Sequence, residues 1–148
     1  MLRKGTKMEP TEVQVVPTPM LLTGLTALLG TTGPFHLPTL SLYQNNATLT
    51  RATTLADLTI ATFTGYAPVA GLAFSSPYID VDGSALALGA DNVFVATGSA
   101  IANVIYGYML TDAGVANLQA AYALANPVGI GSAGQAVAVA PFLRYSGN

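Results

Sequence analysis

From Phe35 onward the chain runs as short β-prone stretches, each ended by Gly, Pro, Asn or Asp, the spacing of an antiparallel sandwich or barrel. About seven or eight candidate strands can be counted on this pattern. Leu37, Leu40 and Leu42 lead to Tyr43 and the turn-prone Gln44-Asn45-Asn46. Residues 84–88 and 92–97 are the next clear runs, punctuated by Asp82-Gly83 and by Gly89-Ala90-Asp91-Asn92. The strictest alternation lies in residues 104–110, where a two-residue period places Val104, Tyr106, Tyr108 and Leu110 on one face and thins the other at Gly107. Thr111-Asp112-Ala113-Gly114 then turns the chain, and Leu118, Ala120, Tyr122 and Leu124 resume the alternation.

Residues 117–125 are rich in alanine and on propensity alone would also suit a helix. Strand is the better reading, because Asn126-Pro127 closes the segment and hairpin spacing surrounds it. Residues 135–145 read as a last strand, with Val137 and Val139 on one face and Pro141 marking an edge or a bulge. One segment departs from the β pattern: in Thr54-Leu55-Ala56-Asp57 a Thr is followed three positions on by an acid, close to a capping box, which predicts a short helix from Leu55 to about Ala61. The fold class expected is all-β, an antiparallel β-sandwich with one short helix.

Residues 1–33 follow a different rule. Three of the five basic residues lie in the first seven positions, and Pro10, Pro17, Pro19, Gly24, Gly30 and Gly33 interrupt any periodicity. This predicts an extended N-terminal arm, residues 1–33, ahead of a sandwich domain, residues 34–148. Val13-Gln14-Val15-Val16 suits a short edge strand. The apolar arm residues Val13, Val15, Val16, Met20, Leu21, Leu22, Leu25, Leu28 and Leu29 are the candidate partner-binding positions, docking on their own domain or on a neighbour.

Composition sharpens this picture. Only 8% of the 148 residues are charged and 51% are hydrophobic, with a mean hydropathy of +0.51, whereas roughly 25% charge is usual in soluble proteins. A domain this small exposes much of its surface, so that surface is built from Thr, Ser, Asn, Gly, Ala and some apolar area, a composition that marks interfaces. A membrane is the rival destination, but the longest strongly apolar run, from Met20 to Leu29, is about half of the roughly 20 residues a spanning helix needs. A secretory signal fits poorly, since Glu9, Pro10 and Glu12 follow the basic start. A net charge of −2 and a pI near 4.9 offer no electrostatic footprint for nucleic acid. Without cysteine there is no disulfide or thiolate metal site, and stability has to come from packing and association. The expectation is a non-enzymatic subunit, without cofactor, of a larger assembly.

Several motifs suggest chemistry and lose it in context. Gly129-Ile130-Gly131-Ser132-Ala133-Gly134 matches the dinucleotide fingerprint, yet Asn126-Pro127 precedes it, β-prone residues follow it, and no acid lies about 20 positions on. A flexible loop is the better reading. Asp80-Val81-Asp82-Gly83 resembles the first half of a calcium loop but has no carboxylate in residues 84–90 to complete it, so a hairpin turn is expected. His36 is the single histidine, and no serine sits in G-x-S-x-G. Asp57, Asp80, Asp82, Asp91 and Asp112 show no pairing suited to glycoside chemistry. Asn46-Ala47-Thr48 fits a glycosylation sequon and reads as a turn. The tyrosines Tyr43, Tyr66, Tyr78, Tyr106, Tyr108, Tyr122 and Tyr145 suit core and interface packing with their hydroxyls at a rim, ahead of a sugar-binding face.

The stretch from Leu42 to Tyr66, LYQNNATLTRATTLADLTIATFTGY, resembles a signature of small tailed-phage virion proteins in which an LY-x-NN-x-T strand and turn leads to TTLADFTEATF-x-GY. Ala102-Asn103-Val104-Ile105-Tyr106-Gly107-Tyr108 and Ala133-Gly134-Gln135-Ala136-Val137 are similar to later parts of the same group. The resemblance implies a capsid decoration or cement protein, as in cyanophages, with a jelly-roll-like domain. It further implies a homotrimer seated on the capsid surface of the virion and bound to the major capsid protein at symmetry axes. The chain departs from the group at Ile60, where an acid is usual, and at residues 117–125, where a more charged strand is usual; both changes add apolar surface. The alternative role is a receptor- or glycan-binding module at a tail or fibre tip, with the tyrosines and residues 80–83 facing outward.

Overall fold

A computed structural model of the chain describes residues 37–113 and 115–145. Among them are eight strands: β1 (Thr39–Tyr43), β2 (Tyr78–Ile79), β3 (Ala85–Leu88), β4 (Asn92–Val95), β5 (Asn103–Thr111), β6 (Leu118–Ile130), β7 (Ala136–Val139) and β8 (Phe142–Tyr145). They form three antiparallel sheets, ordered β1-β5-β6, β2-β3-β8 and β4-β7. The fold is all-β and sandwich-like, as the hydrophobic pattern predicts, and no sheet closes into a barrel. Residues 1–36, which include the expected arm and His36, lie outside the described residues.

One core joins the three sheets. Leu40 and Leu42 of β1, Ile105, Tyr108 and Leu110 of β5, Ala85 and Ala87 of β3, Phe94 of β4, Val137 and Val139 of β7 and Leu143 of β8 are all buried in it. Rings bridge the layers: Tyr108 stacks on Tyr122 with centroids 5.0 Å apart, and Tyr122 meets Phe142 at 4.4 Å. A second, smaller cluster lies on the other face of the first sheet, where Tyr43 and Met109 are covered by Leu58, with Leu49, Leu55 and Ile60 against them. With both faces covered, every residue of β1 is buried.

The alternation in β5 does not keep one phase. Ile105 pairs with Val128 and Gly107 with Ala123, so Tyr106 alone stands opposite Leu124, Ala125, Asn126 and Pro127. An irregularity of this kind slips the two-residue period by one. Before it Ile105 faces the main core, and after it Tyr108 and Leu110 do. Tyr106 joins Met109 in the smaller cluster, and Val104 is 45% exposed. The single face expected for Val104, Tyr106, Tyr108 and Leu110 is therefore split.

The same irregularity explains why Asn126-Pro127 does not end its strand. The segment read as ambiguous is strand, and it continues to Ile130. Pro127 falls in the unpaired excursion, where the ladder asks for no N–H. The last predicted strand, in turn, becomes two. Val137 and Val139 share a buried face as expected, but β7 and β8 belong to different sheets and the chain turns the corner at Ala140-Pro141. The predicted helix shortens to one 3-10 turn, Leu55–Asp57. Thr54 donates its N–H and its hydroxyl to the Asp57 carboxylate, at 2.8 and 2.9 Å, as the capping pattern predicts. Leu58 is already extended, because the next residues are used along β1: Gln44 N–H donates to the Thr59 carbonyl, and Ala61 N–H to the Leu42 carbonyl.

Candidate functional site

Four tyrosine hydroxyls are engaged with backbone groups. Along the outer edge of β1, Leu40 exchanges both backbone hydrogen bonds with Val69, and the Leu42 carbonyl is taken by Ala61. The Leu42 N–H in the gap donates to the Tyr66 hydroxyl, 2.8 Å away. Backbone hydrogen bonding from Phe142 and Arg144 on β8 offsets part of the rise that burial gives Tyr108 and Tyr122. Tyr43 donates to the Tyr122 carbonyl at 3.3 Å. Burial pushes Tyr66, Tyr108 and Tyr122 up from the usual tyrosine range, Tyr108 to about 12, with Tyr122 beside it adding to the rise. The Tyr66 and Tyr43 hydroxyls supply partners that buried backbone groups require. They are turned inward, and Tyr78, at 43% exposure, is the ring placed outside.

Residues 80–84 form the expected turn, here joining β2 to β3. Asp80 N–H donates to the Ser84 carbonyl and Gly83 N–H to the Asp80 carbonyl, with Gly83 at φ +81° in the left-handed region that glycine tolerates. Arg144, facing Leu86 across the β3–β8 ladder, spans the turn with Nη2 2.9 Å from Asp80 and Nη1 3.1 Å from Asp82. The Ser84 hydroxyl and N–H, with the Arg144 charge behind them, hold the Asp82 carboxyl below the usual carboxylate range. A guanidinium thus occupies the two carboxylates that resemble a calcium loop, and among the described residues no three His, Asp or Glu gather as metal ligands. Sequence spacing carries no hint of Arg144, which lies 62 positions from Asp82.

The G-x-G-x-x-G stretch is half strand and half turn. Gly129 pairs with Val104 inside the β5–β6 ladder. The N–H groups of Gly131 and Ser132 both donate to the Gln135 side-chain oxygen, at 2.7 and 2.9 Å. A phosphate cradle needs such N–H groups pointing at the ligand, and these two are already taken. The turn borders a shallow groove of about 510 Å³ lined by Asn103, Val104, Ile130, Ser132 and Gln135 among others.

Beside that groove the β4–β7 sheet has one buried and one open face. Phe94, Val137 and Val139 point into the core. On the other side Val93 is 62% and Val95 45% exposed, and their ladder partners Ala138 and Ala136 are exposed with them. Ile101 and Val104, 49% and 45% exposed, add to the apolar surface near the groove. None of these residues is charged, and none lies between Ala113 and Arg144 that carries a charge. Sequence reading misses this face because Val93-Phe94-Val95-Ala96 is uniformly apolar and does not say which side is covered. The arm positions chosen as partner-binding lie outside the described residues, as does His36. No helix of the described residues is long and apolar enough to cross a membrane.

The open face gives this all-β module an apolar patch at Val93 and Val95, beside a groove lined by both polar and apolar residues. No protein-family model, curated protein or solved structure matches the chain.

Proposed function

We propose that the chain is a structural virion protein, a capsid decoration or cement protein that binds the major capsid protein at symmetry axes as a homotrimer and stabilises the head. The observation that carries this reading is the uncharged face of Val93, Val95, Ala136 and Ala138, uncovered among the described residues, on a chain with 8% charge. A surface of that kind is stabilised when another protein surface excludes water from it, at roughly 25 cal/mol for each Å² of apolar area buried. Cementing a lattice needs contact area repeated by symmetry and no covalent step. The likeness of residues 42–66 to small tailed-phage virion proteins supports the same role.

Copy number tests it. Quantitative mass spectrometry of purified particles should find hundreds of copies per virion, together with loss of heat resistance in particles that lack the protein. A handful of copies at one vertex would instead support the tail or fibre-tip binding module, for which the polar rim of the groove, Asn103, Ser132 and Gln135, is the supporting feature.

A further inference from the structure

The outer edge of β1 is closed along residues 59–69: Leu40 exchanges both backbone hydrogen bonds with Val69, the Leu42 carbonyl accepts from Ala61 N–H, and the Leu42 N–H donates to the Tyr66 hydroxyl. At the other side of the same sheet stands β6, the longest strand at 13 residues, which among the described residues pairs with β5 alone. An edge strand commonly carries a charge, most often lysine, that discourages pairing. β6 carries none.

The ladder fixes which backbone groups of β6 are open. Because Leu40 and Leu42 point their N–H and C=O groups outward, Ser41 and Tyr43 point theirs at Met109 and Gly107 of β5. Backbone direction alternates along a strand, so Tyr108 and Leu110 bond towards β6, opposite Tyr122 and Ala120. Ala121 and Ala123 therefore turn their N–H and C=O groups to the outer edge, where no described residue pairs with them. Irregularities at Gln119 and at residues 124–127 bound this regular stretch. Ala123 is exposed, and neither alanine has the bulk to hold a neighbouring strand away. A groove of about 260 Å³ separates Ala120 and Ala121 from the loop at Thr50 and Arg51, which leaves room beside the edge.

We propose that this edge pairs antiparallel with the same edge of a second copy of the chain, about a twofold axis at Tyr122. In that register Ala121 of each copy stands opposite Ala123 of the other, and the two alanines exchange both backbone hydrogen bonds on either side of the axis. Two features select a second copy as the occupant. The open groups lie symmetrically before and after Tyr122, so the edge is its own complement, as an isologous contact requires. An uncharged β6 also brings no like charges together across the axis, and self-pairing carries no electrostatic penalty there. The contact does not rest on the capsid reading. Being twofold, it would join two of the proposed trimers and not build one.

Analytical ultracentrifugation of the full-length protein from about 1 to about 100 µM, with hydrogen exchange read amide by amide, tests the pairing. At the upper concentration the parent should reach about twice the mass of the largest species formed by Ala123→Lys, which places a charge on the exposed edge position. Ala123→Ser, which adds no charge, should associate as the parent does. The Ala121 and Ala123 amides of the parent should exchange at least tenfold more slowly at the upper concentration than at the lower. The Ala120 and Tyr122 amides, bonded to β5, should be protected at both. Equal masses for the parent and an Ala123→Lys variant with the parent's circular dichroism overturn the proposal. Protection of Ala121 and Ala123 already at the lowest concentration overturns it too, because the chain's own residues would then close the edge. So does association that leaves these two amides open, which would place the contact on another surface.

Discussion

The Tyr43 hydroxyl crosses above Gly107 to donate to the backbone carbonyl of Tyr122, 3.3 Å away, so one side chain ties the two outer strands of the first sheet across the strand between them. The crossing requires a residue without a side chain beneath it. A Cβ on Gly107 would run into the Tyr122 carbonyl and the Tyr43 hydroxyl together. Gly107→Ala is therefore expected to destabilise the domain by on the order of 3 kcal/mol, through overpacking of a buried site. Tyr43→Phe removes a hydrogen bond and keeps the ring, at a cost of about 1 kcal/mol. Chemical denaturation of the two variants tests the ranking. Adding Tyr43→Phe to Gly107→Ala should rescue little, because the Tyr122 carbonyl still stands in the way.

Tyr66 fills a different gap. Its hydroxyl accepts from Leu42 N–H between two stretches of backbone pairing, and burial leaves that amide no access to water. Tyr66→Phe should cost about 1–3 kcal/mol, the penalty of a buried unsatisfied donor. Hydrogen exchange at the Leu42 amide should speed up more than exchange at the Leu40 amide, which keeps its Val69 partner. Tyr78→Phe, at an exposed ring, should change neither quantity.

The buried tyrosines also set an alkaline limit. Burial raises Tyr108 to about 12, whereas an unfolded tyrosine ionises near 10. A raised folded value means the unfolded chain releases its proton first, so the stability due to keeping this hydroxyl neutral is complete below pH ~10 and is lost as pH climbs from ~10 towards 12. Denaturation midpoints should fall across that window, and the fall should be shallower in Tyr108→Phe. A parallel decline in both proteins would refute the assignment to Tyr108.

How far the sequence reveals this architecture depends on the range of the interaction that decides each feature. Local signals hold: the Thr54 and Asp57 pair does cap a turn, Asp82-Gly83 does turn a hairpin, and Val137 with Val139 does face the core. Features decided by distant partners do not show. The phase slip in β5 depends on four unpaired residues of β6, and the helix expected after Leu55 yields to β1, which draws Thr59 and Ala61 into extended pairing. The Arg144 bridge to Asp80 and Asp82 likewise joins residues more than sixty positions apart. For the exposed surface, low charge signals that apolar area is left outside, and the ladder between β4 and β7 is what identifies Val93 and Val95 as part of it.

That face yields the most direct separation of function from stability. Val93 and Val95 are exposed, and Ala138 and Ala136 stand opposite them, so a lysine at Val93 or Val95 projects into solvent and displaces no core atom. Surface changes of this kind usually stay within about 0.5 kcal/mol of the parent. Val93→Lys with Val95→Lys should therefore leave the unfolding transition nearly unchanged and remove the apolar patch on which the proposed association rests. If the face binds a capsid lattice, the double variant should fail to co-sediment with heads lacking the protein and fail to protect them from heat, while the parent does both. The free protein should also self-associate less in analytical ultracentrifugation if the face contributes to the proposed trimer. Retained head binding by a correctly folded double variant would remove this face from the proposed interface.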